Sequence, residues 1–468
     1  MRLYFHGFIM LIQKFVLRRN TGAVICRFAL KMSVVYIKMA QILAMQNYGQ
    51  IFSEQDRQNL SKVCDDCRPV SYRKITKIIE SEYDCKVSDK FRSIDPKPIG
   101  AASVSQVHRA ILLDGREVAI KVKRQDVARR VRRDVRQIQR LIHRFGKLTK
   151  FRNFLGSDQA LTLWAEWIYQ ETDFQRERQN ITEYQDFISS VNGKIPHTVR
   201  LKVPQVFPEL CTDNLIVMEF IHDPTINQLS LTAEHKAKIR DGLNDYMALS
   251  FYALLHGLPV IFHGDPHGGN IYLDAAGNVG FLDLGLIFAL NSEEAKFVRE
   301  IFLNAYSGRA DKVIETLIRT SECGAFDEAQ FRGDIQREVA KIQDIPVAQF
   351  FVEMMNIFVY YNISPPEVFF KMAKAFLALF GIGVFSENLS STKQLLAAQV
   401  TEFYVERSFD DFRQICTSGA KLLPGFLATT LRDGPAKALA QEFCLLDEFH
   451  IQLETAWQHG VEVLEYFR

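Results

Sequence analysis

The chain of 468 residues has little net charge, no second pair of cysteines to complete a metal site and no long apolar run. Lys and Arg exceed Asp and Glu by only 2. No overall basic field is available to hold a polyanion, which excludes a dedicated nucleic-acid binder. Eight cysteines are scattered along the chain, and only Cys64 and Cys67 look like a pair. A structural zinc needs four ligands, so the expectation is a reduced, cytoplasmic chain. No stretch of about 18 uninterrupted apolar residues occurs, so no spanning helix is expected. The first twenty residues are apolar but broken by His6, Gln13 and Lys14. They lack the clean apolar core and small-residue cleavage site of a signal peptide. They fit an amphipathic helix that lies on a membrane or packs on the body of the protein. Internal repeats and low-complexity tracts are also missing.

What is present is the balance of a folded protein, 47% apolar and 24% charged. The length suits two or three domains, or one bilobal enzyme with extensions. One local charge excess stands out. Between Lys121 and Arg152 about a dozen Lys and Arg face only Asp126 and Asp134. Such a run is either a solvated helix face or a surface for anionic lipid or an acidic partner.

Residues 1–90 have helical periodicity with few Gly or Pro. The texture changes at Asp95-Pro-Lys-Pro98. A small-residue loop, Gly100 to Ser103, leads into strand-like Val104–Val107 and Ala110–Leu113. Asp114-Gly115 is a tight hairpin signal, and Glu117–Val122 alternates as a strand does. Residues 125–190 return to helix, followed by strand-like Val203–Val206 and Leu215–Ile221. The remainder is helical apart from 260–290, where short apolar pieces flank polar loops. This order predicts an α+β, protein kinase-like bilobal fold. A helical extension would occupy 1–94, a small β-rich lobe 95–222, a larger helical lobe 223–400 and a helical tail 401–468.

Phosphoryl transfer asks little covalent chemistry of a protein. It needs a carboxylate near the attacking group, metal ligands, and cations on the phosphates. Within His263-Gly-Asp-Pro-His-Gly-Gly-Asn270, Asp265 is followed five positions later by Asn270. Asp283-Leu-Gly285 offers a second carboxylate at the end of a short apolar strand. Asp274 to Asn278 between them is a hairpin turn that would set both loops side by side. Lys121 sits mid-strand between Ile120 and Val122, where a lysine is poorly placed unless its amine has a purpose. A kinase-type fold uses such a lysine to hold nucleotide phosphates, oriented by a helix Glu. Glu171, beside Asp173, is the expected partner, with Glu166 as runner-up. Gly100, Ala101, Ala102 and Ser103 lie where backbone N–H groups could cover phosphates. Glu219, near the end of the strand that leads into the hinge, completes the nucleotide-facing set.

Together Lys38-Met-Ala-Gln41, Pro98–His108, Val118–Val122, Glu171-Thr-Asp173-Phe174 and His263–Asn270 with Asp283-Leu-Gly285 resemble the UbiB/AarF-like atypical kinase family, the group linked to ubiquinone biosynthesis. The likeness runs from about Val35 to about Leu389. The discriminating piece is Ser105-Gln-Val-His108, which ordinary kinases lack. The resemblance implies that Lys121 binds ATP or ADP phosphates, that Asn270 and Asp283 hold Mg2+, and that Asp265 occupies the catalytic-base position. It implies that Lys38 and Gln41 belong to a motif that folds over the active site and keeps a protein substrate out. Glu171 and Asp173 would contact that lysine or the strand lysine. The implied activity is that of a kinase or ATPase in quinone-lipid metabolism, at a membrane surface and among quinone-biosynthesis proteins. Three positions depart from the family pattern: Ala40 for glycine, Gly100 for alanine and Gly268 for proline. None removes a charged or metal-binding group. Gly100 bears on the ADP-versus-ATP preference, and Ala40 on how the helix packs on the loop.

Two other classes share part of this pattern. Small-molecule phosphotransferases of the aminoglycoside or choline kinase type have the Asp and Asn loops, but would not predict Lys38, Ser105–His108 or Glu171. A pseudokinase scaffold could keep every polar group and bind nucleotide without turnover.

Overall fold

The computed structural model describes residues 69–145 except 103, 158–192, 194, 201–342, 347–361, 363–380 and 382, with Val24, Phe28, Ala29, Val35 and Tyr36. Lys38, Gln41, Cys64, Cys67, Ser103 and the tail 401–468 lie outside the described residues.

The first lobe is an antiparallel sheet of five strands in the order β1-β3-β4-β5, with β2 on β3. These are β1 (Phe91–Ile94), β2 (Gly100–Ala101), β3 (Ser105–Leu112), β4 (Glu117–Lys123) and β5 (Leu215–Glu219). The β3–β4 turn is Asp114-Gly115, and Gly115 takes φ +92°, a conformation that costs glycine nothing. Side chains alternate across a strand. In β4, Val118, Ile120 and Val122 are fully buried against helix α1 (Tyr72–Tyr83), packing on its Ile75, Ile78 and Ile79. Ala119, Lys121 and Lys123 therefore point to the opposite face of the sheet. The sheet and its core thus draw on residues upstream of 95, namely α1 and β1.

Ser105-Gln-Val-His108 has a structural part in this lobe. Gln106 is fully buried and accepts the Val70 N–H at 2.8 Å while its amide donates to the Val70 carbonyl at 3.1 Å. His108, also fully buried, lies 2.7 Å from the Asp95 carbonyl through Nδ1 and 2.9 Å from the Gln106 amide through Nε2. A carbonyl can only accept, so Nδ1 carries the proton and Nε2 accepts from Gln106. Burial accordingly lowers the His108 pKa and keeps the ring neutral. The motif clasps the segment entering α1 to the sheet.

Helices α2 (Val127–Phe145), α3 (Asp158–Gln170) and α4 (Phe174–Asn192) follow β4. The second lobe contains α5 (Ala233–Leu255), α6 (Ser292–Tyr306), α7 (Ala310–Thr320), α8 (Glu328–Lys341), α9 (Val347–Tyr361) and α10 (Glu367–Phe380). A reciprocal cap starts α6: the Asn291 side chain accepts the Glu294 N–H, and Glu294 accepts the Asn291 N–H. The core is rich in rings. Phe251 and Phe302 meet edge to face at 4.7 Å, and Phe351 stacks on Phe376 at 5.3 Å. Two antiparallel ribbons lie between α5 and α6: β6 (Val260–His263) pairs with β9 (Ile287–Leu290), and β7 (Ile271–Leu273) with β8 (Val279–Phe281). Among the described residues no helix is long and apolar enough to cross a membrane. The molecule is α+β, with a sheet-rich lobe before a helical one, as a kinase-like fold requires.

Candidate active site

The ribbons hold the polar loops in place. Pairing of His263 with Ile287, and of Ile271 with Phe281, brings the ends of the two loops into register. Two cross-loop bonds tighten them: Gly264 N–H to the Leu286 carbonyl at 2.9 Å and Leu282 N–H to the Asn270 carbonyl at 2.8 Å. Asn270 is thereby bound to the residue that precedes Asp283. A Cβ on Gly264 would lie 2.6 Å from Leu286 Cγ, so this close approach needs glycine.

His263 is 1% exposed, and its Nδ1 accepts the Asp265 N–H at 3.1 Å. The ring is therefore neutral with its proton on Nε2, which has no partner among the described residues. Burial pushes its pKa down to about 4, against the pull of Asp265 and Asp283. Asp265 projects from this loop, half-buried. Its Oδ1 lies 3.3 Å from the amine of Lys374 on α10, which also donates to the Gly264 carbonyl at 2.5 Å.

Lys121 joins the lobes. It is 6% exposed, and its amine donates to Glu177 Oε1 at 2.6 Å and to Asp283 Oδ2 at 2.7 Å. Burial alone would lower the pKa of this amine, but the two carboxylates hold it above the ordinary lysine value. Burial pushes Glu177 up to about 7 in spite of the ammonium. Desolvation acts upward on Asp283 too, but there Lys121 wins and holds the carboxyl at about 2.

The glutamate expected at Lys121 was Glu171 or Glu166; the structure places Glu177 there. Helix α4 starts at Phe174, with the Asp173 carboxylate accepting the Gln175 and Arg176 N–H groups as its cap. Glu171 and Asp173 thus precede the helix, and Glu166 is exposed on α3. Glu177 lies on the buried stripe Phe174–Glu177–Ile181–Tyr184, the face turned inward. That spacing, an acid embedded in an apolar helical stripe, was the available signal. Glu171 is nearby nonetheless: its Cα is 3.9 Å from where a Gly285 Cβ would stand. Asn180, one turn after Glu177, donates to the Leu284 carbonyl at 2.7 Å and anchors the Asp283 loop to the same helix. Neither Asn180 nor Lys374 carries a local sequence signal for its role.

Gly100, Ala101 and Ala102 form and follow the short strand β2, and nothing lies within 4 Å of a Cβ placed on Gly100. Glu219 ends β5, exposed, with Oε2 at 3.3 Å from the Gln205 N–H. Among the described residues no cluster of three or more His, Cys, Asp or Glu could hold a metal alone. The loops offer two carboxylates, Asp265 and Asp283, and one amide, Asn270. Mg2+ commonly takes one or two carboxylates and completes its shell with phosphate oxygens and water. The donor set fits a magnesium ion that arrives with a nucleotide.

A family model described as the ABC1 atypical kinase-like domain matches residues 62–317. An uncharacterized protein of Mycobacterium tuberculosis is 30% identical over 272 residues, 57% of this chain and 53% of its own length. The chloroplastic Protein ACTIVITY OF BC1 COMPLEX KINASE 7 of Arabidopsis thaliana is 26% identical over 305 residues, 64% of this chain and 42% of its own. A Probable protein kinase UbiB of Erwinia tasmaniensis is 25% identical over 287 residues, 60% of this chain and 50% of its own. The chain thus spans about half the length of these curated relatives. Lys121, Glu177, Asp265, Asn270 and Asp283 fall inside the matched range; Lys374 falls outside it.

Proposed function

The chain belongs to the ABC1 atypical kinase-like family, and on that premise we propose that it is an ATP-binding, magnesium-dependent kinase or ATPase serving quinone or related lipid metabolism. The observation that carries this is the Lys121 amine held between Glu177 and Asp283 at 2.6 and 2.7 Å, with Asn270 bonded to the neighbouring strand end. A buried ammonium flanked by carboxylates is stable at rest and has a ready exchange available. Nucleotide phosphates can take the place of Asp283 on Lys121, which releases that carboxylate toward a cation, while Glu177 keeps the amine aimed.

In this proposal Asp283 and Asn270 hold Mg2+, which neutralises charge on the phosphates. Asp265 accepts from the attacking hydroxyl or water. The Gly100–Ser103 loop covers the phosphates, and Glu219 stands at the adenine end. Lys38 and Gln41 gate the site, with Glu171 and Asp173 as the acidic partners beside the Asp283 loop. The quinone assignment draws on the UbiB name among the relatives. For membrane docking the support is α2, where Arg129, Arg130, Arg132, Arg133, Arg136 and Arg140 are exposed while Val127, Val131, Val135 and Ile138 are buried. Such a face gains energy beside anionic lipid.

Titration of ATP with and without Mg2+, followed by phosphate release with and without anionic vesicles, tests the proposal. Mg2+ alone should leave the protein unchanged, ATP and Mg2+ should bind together, and Asp283→Asn should abolish the magnesium dependence. Unchanged magnesium-dependent affinity in Asp283→Asn would sink the metal assignment. The engagement of Asp283 by Lys121 favours one second reading, a nucleotide-binding scaffold. Binding without turnover under every condition would select it, whereas phosphorylation of an amino alcohol or sugar would select a small-molecule kinase.

A further inference from the structure

We propose that Lys374 is the positioning residue that sets the Asp265 carboxylate for phosphoryl transfer, although it stands 109 residues away in sequence. The proposal rests on the phosphotransferase reading above and concerns a helix beyond the matched residues 62–317.

Helix α10 reads Glu-Val-Phe-Phe-Lys-Met-Ala-Lys-Ala-Phe-Leu-Ala-Leu-Phe, and its only polar residues are Glu367, Lys371 and Lys374. Their spacing of four and three places them on one stripe of an otherwise apolar helix. Lys371 has an ordinary explanation. Its amine meets Glu294 at 2.7 Å and Glu367 at 3.0 Å, which fastens α10 to the capped start of α6. Lys374 is different, because it reaches into the loop that carries Asp265 and takes a main-chain carbonyl together with a carboxylate oxygen. Its side chain is only 12% exposed. An ammonium so far from water is costly unless its partners compensate, and a methionine or leucine would pack in this helix without that cost. A lysine here is therefore explained by what it holds.

The two atoms it holds are the carbonyl just before Asp265 and the Asp265 side chain itself. One bond holds the backbone and the other the carboxylate. The Gly264 N–H is already tied to Leu286, and no room exists for a Cβ at that position. Lys374 adds a constraint on the Asp265 carboxylate itself. An ammonium has three donors, and among the described residues these two bonds take two of them. The helix that carries it is firmly seated: Phe376, two residues on, packs with Phe262 of β6 and with Phe351. Loop and lysine are thus referenced to the same core.

Lys374→Met, Lys374→Arg and, as a control, Lys371→Met separate this role from a mere staple. Amide exchange across residues 264–267 reports the loop without any need for activity. For Lys374→Met we expect exchange there to accelerate about 10- to 100-fold, with melting temperature and nucleotide affinity retained. We expect kcat to fall about 100-fold with the KM for ATP unchanged, the signature of a misplaced group. Lys374→Arg should restore most of both, and Lys371→Met should change neither. Loop exchange and kcat equal to wild type in Lys374→Met would overturn the proposal, as would equal effects in Lys371→Met. If Lys374→Met does not fold, Lys374→Gln replaces it in the same comparison. If the wild-type chain turns over no ATP, the phosphotransferase reading fails, and the exchange arm alone decides whether Lys374 sets the loop.

Discussion

Two lysines, Lys121 buried and Lys374 partly buried, serve the same small site from opposite lobes, and they arrive there by different means. Lys121 is delivered by strand alternation. With Val118, Ile120 and Val122 committed to the core behind the sheet, the lysine between them has to face the cleft. Lys374 is delivered by a helix whose orientation is set by aromatic packing of Phe376 on Phe262 and Phe351. The first lysine is paired on both sides by carboxylates and depends on the lobes meeting correctly. The second is tied partly to main chain and depends on one helix seating in its own lobe. A site assembled in this way should lose its two halves separately.

The sharpest break lies at Lys121. Replacing it with Met leaves Glu177 buried without its counter-charge, which should cost about 3–5 kcal/mol in denaturant unfolding and remove nucleotide binding. Adding Glu177→Gln should recover most of that stability and none of the binding. Recovery of neither would mean that the lysine acts through something other than the pair.

A smaller effect separates the lobes by pH. His263 is buried neutral, with its pKa lowered from 6.5 to about 4. A base whose pKa falls on folding contributes fully above 6.5 and loses that contribution as the pH drops through about 4. The loss is on the order of 3 kcal/mol. Asp265, Asp283, His267 and Lys374 surround this ring electrostatically, so the loss should destabilise the helical lobe first. Urea midpoints between pH 7 and pH 4 should fall in wild type and flatten in His263→Phe. An equal slope in the variant would assign the acid sensitivity elsewhere.

The mildest test concerns the sheet lobe alone. Gln106→Ala removes both bonds to Val70 and strands His108 Nε2, at about 1–3 kcal/mol. Hydrogen exchange should rise in α1 while the Asp265 loop stays protected. Faster exchange in both regions would show that the lobes are coupled through the sheet.

Much of the architecture was legible in the chain. The hairpin at Asp114-Gly115, the strand around Lys121 and the turn at Asp274–Asn278 all stand where local pattern placed them, because turns and alternation are set by neighbouring residues. Val203–Val206 did not become a strand; Val206 makes only a bridge to Met218. Strand β1 was not anticipated, since four residues with ends buried and middle exposed carry no alternation to read.

By itself the sequence determined which groups are available and which loops carry them: Lys121, Asp265, Asn270 and Asp283 are set by spacing along short segments. Only the tertiary structure decided who meets whom. Glu177 answers Lys121 across 56 residues, where Glu171 was the nearer choice by motif, and Lys374 answers Asp265 across 109. The reason is geometric. A motif specifies the order of groups along the backbone, whereas contact between distant groups depends on where a helix starts and which of its faces the core takes up.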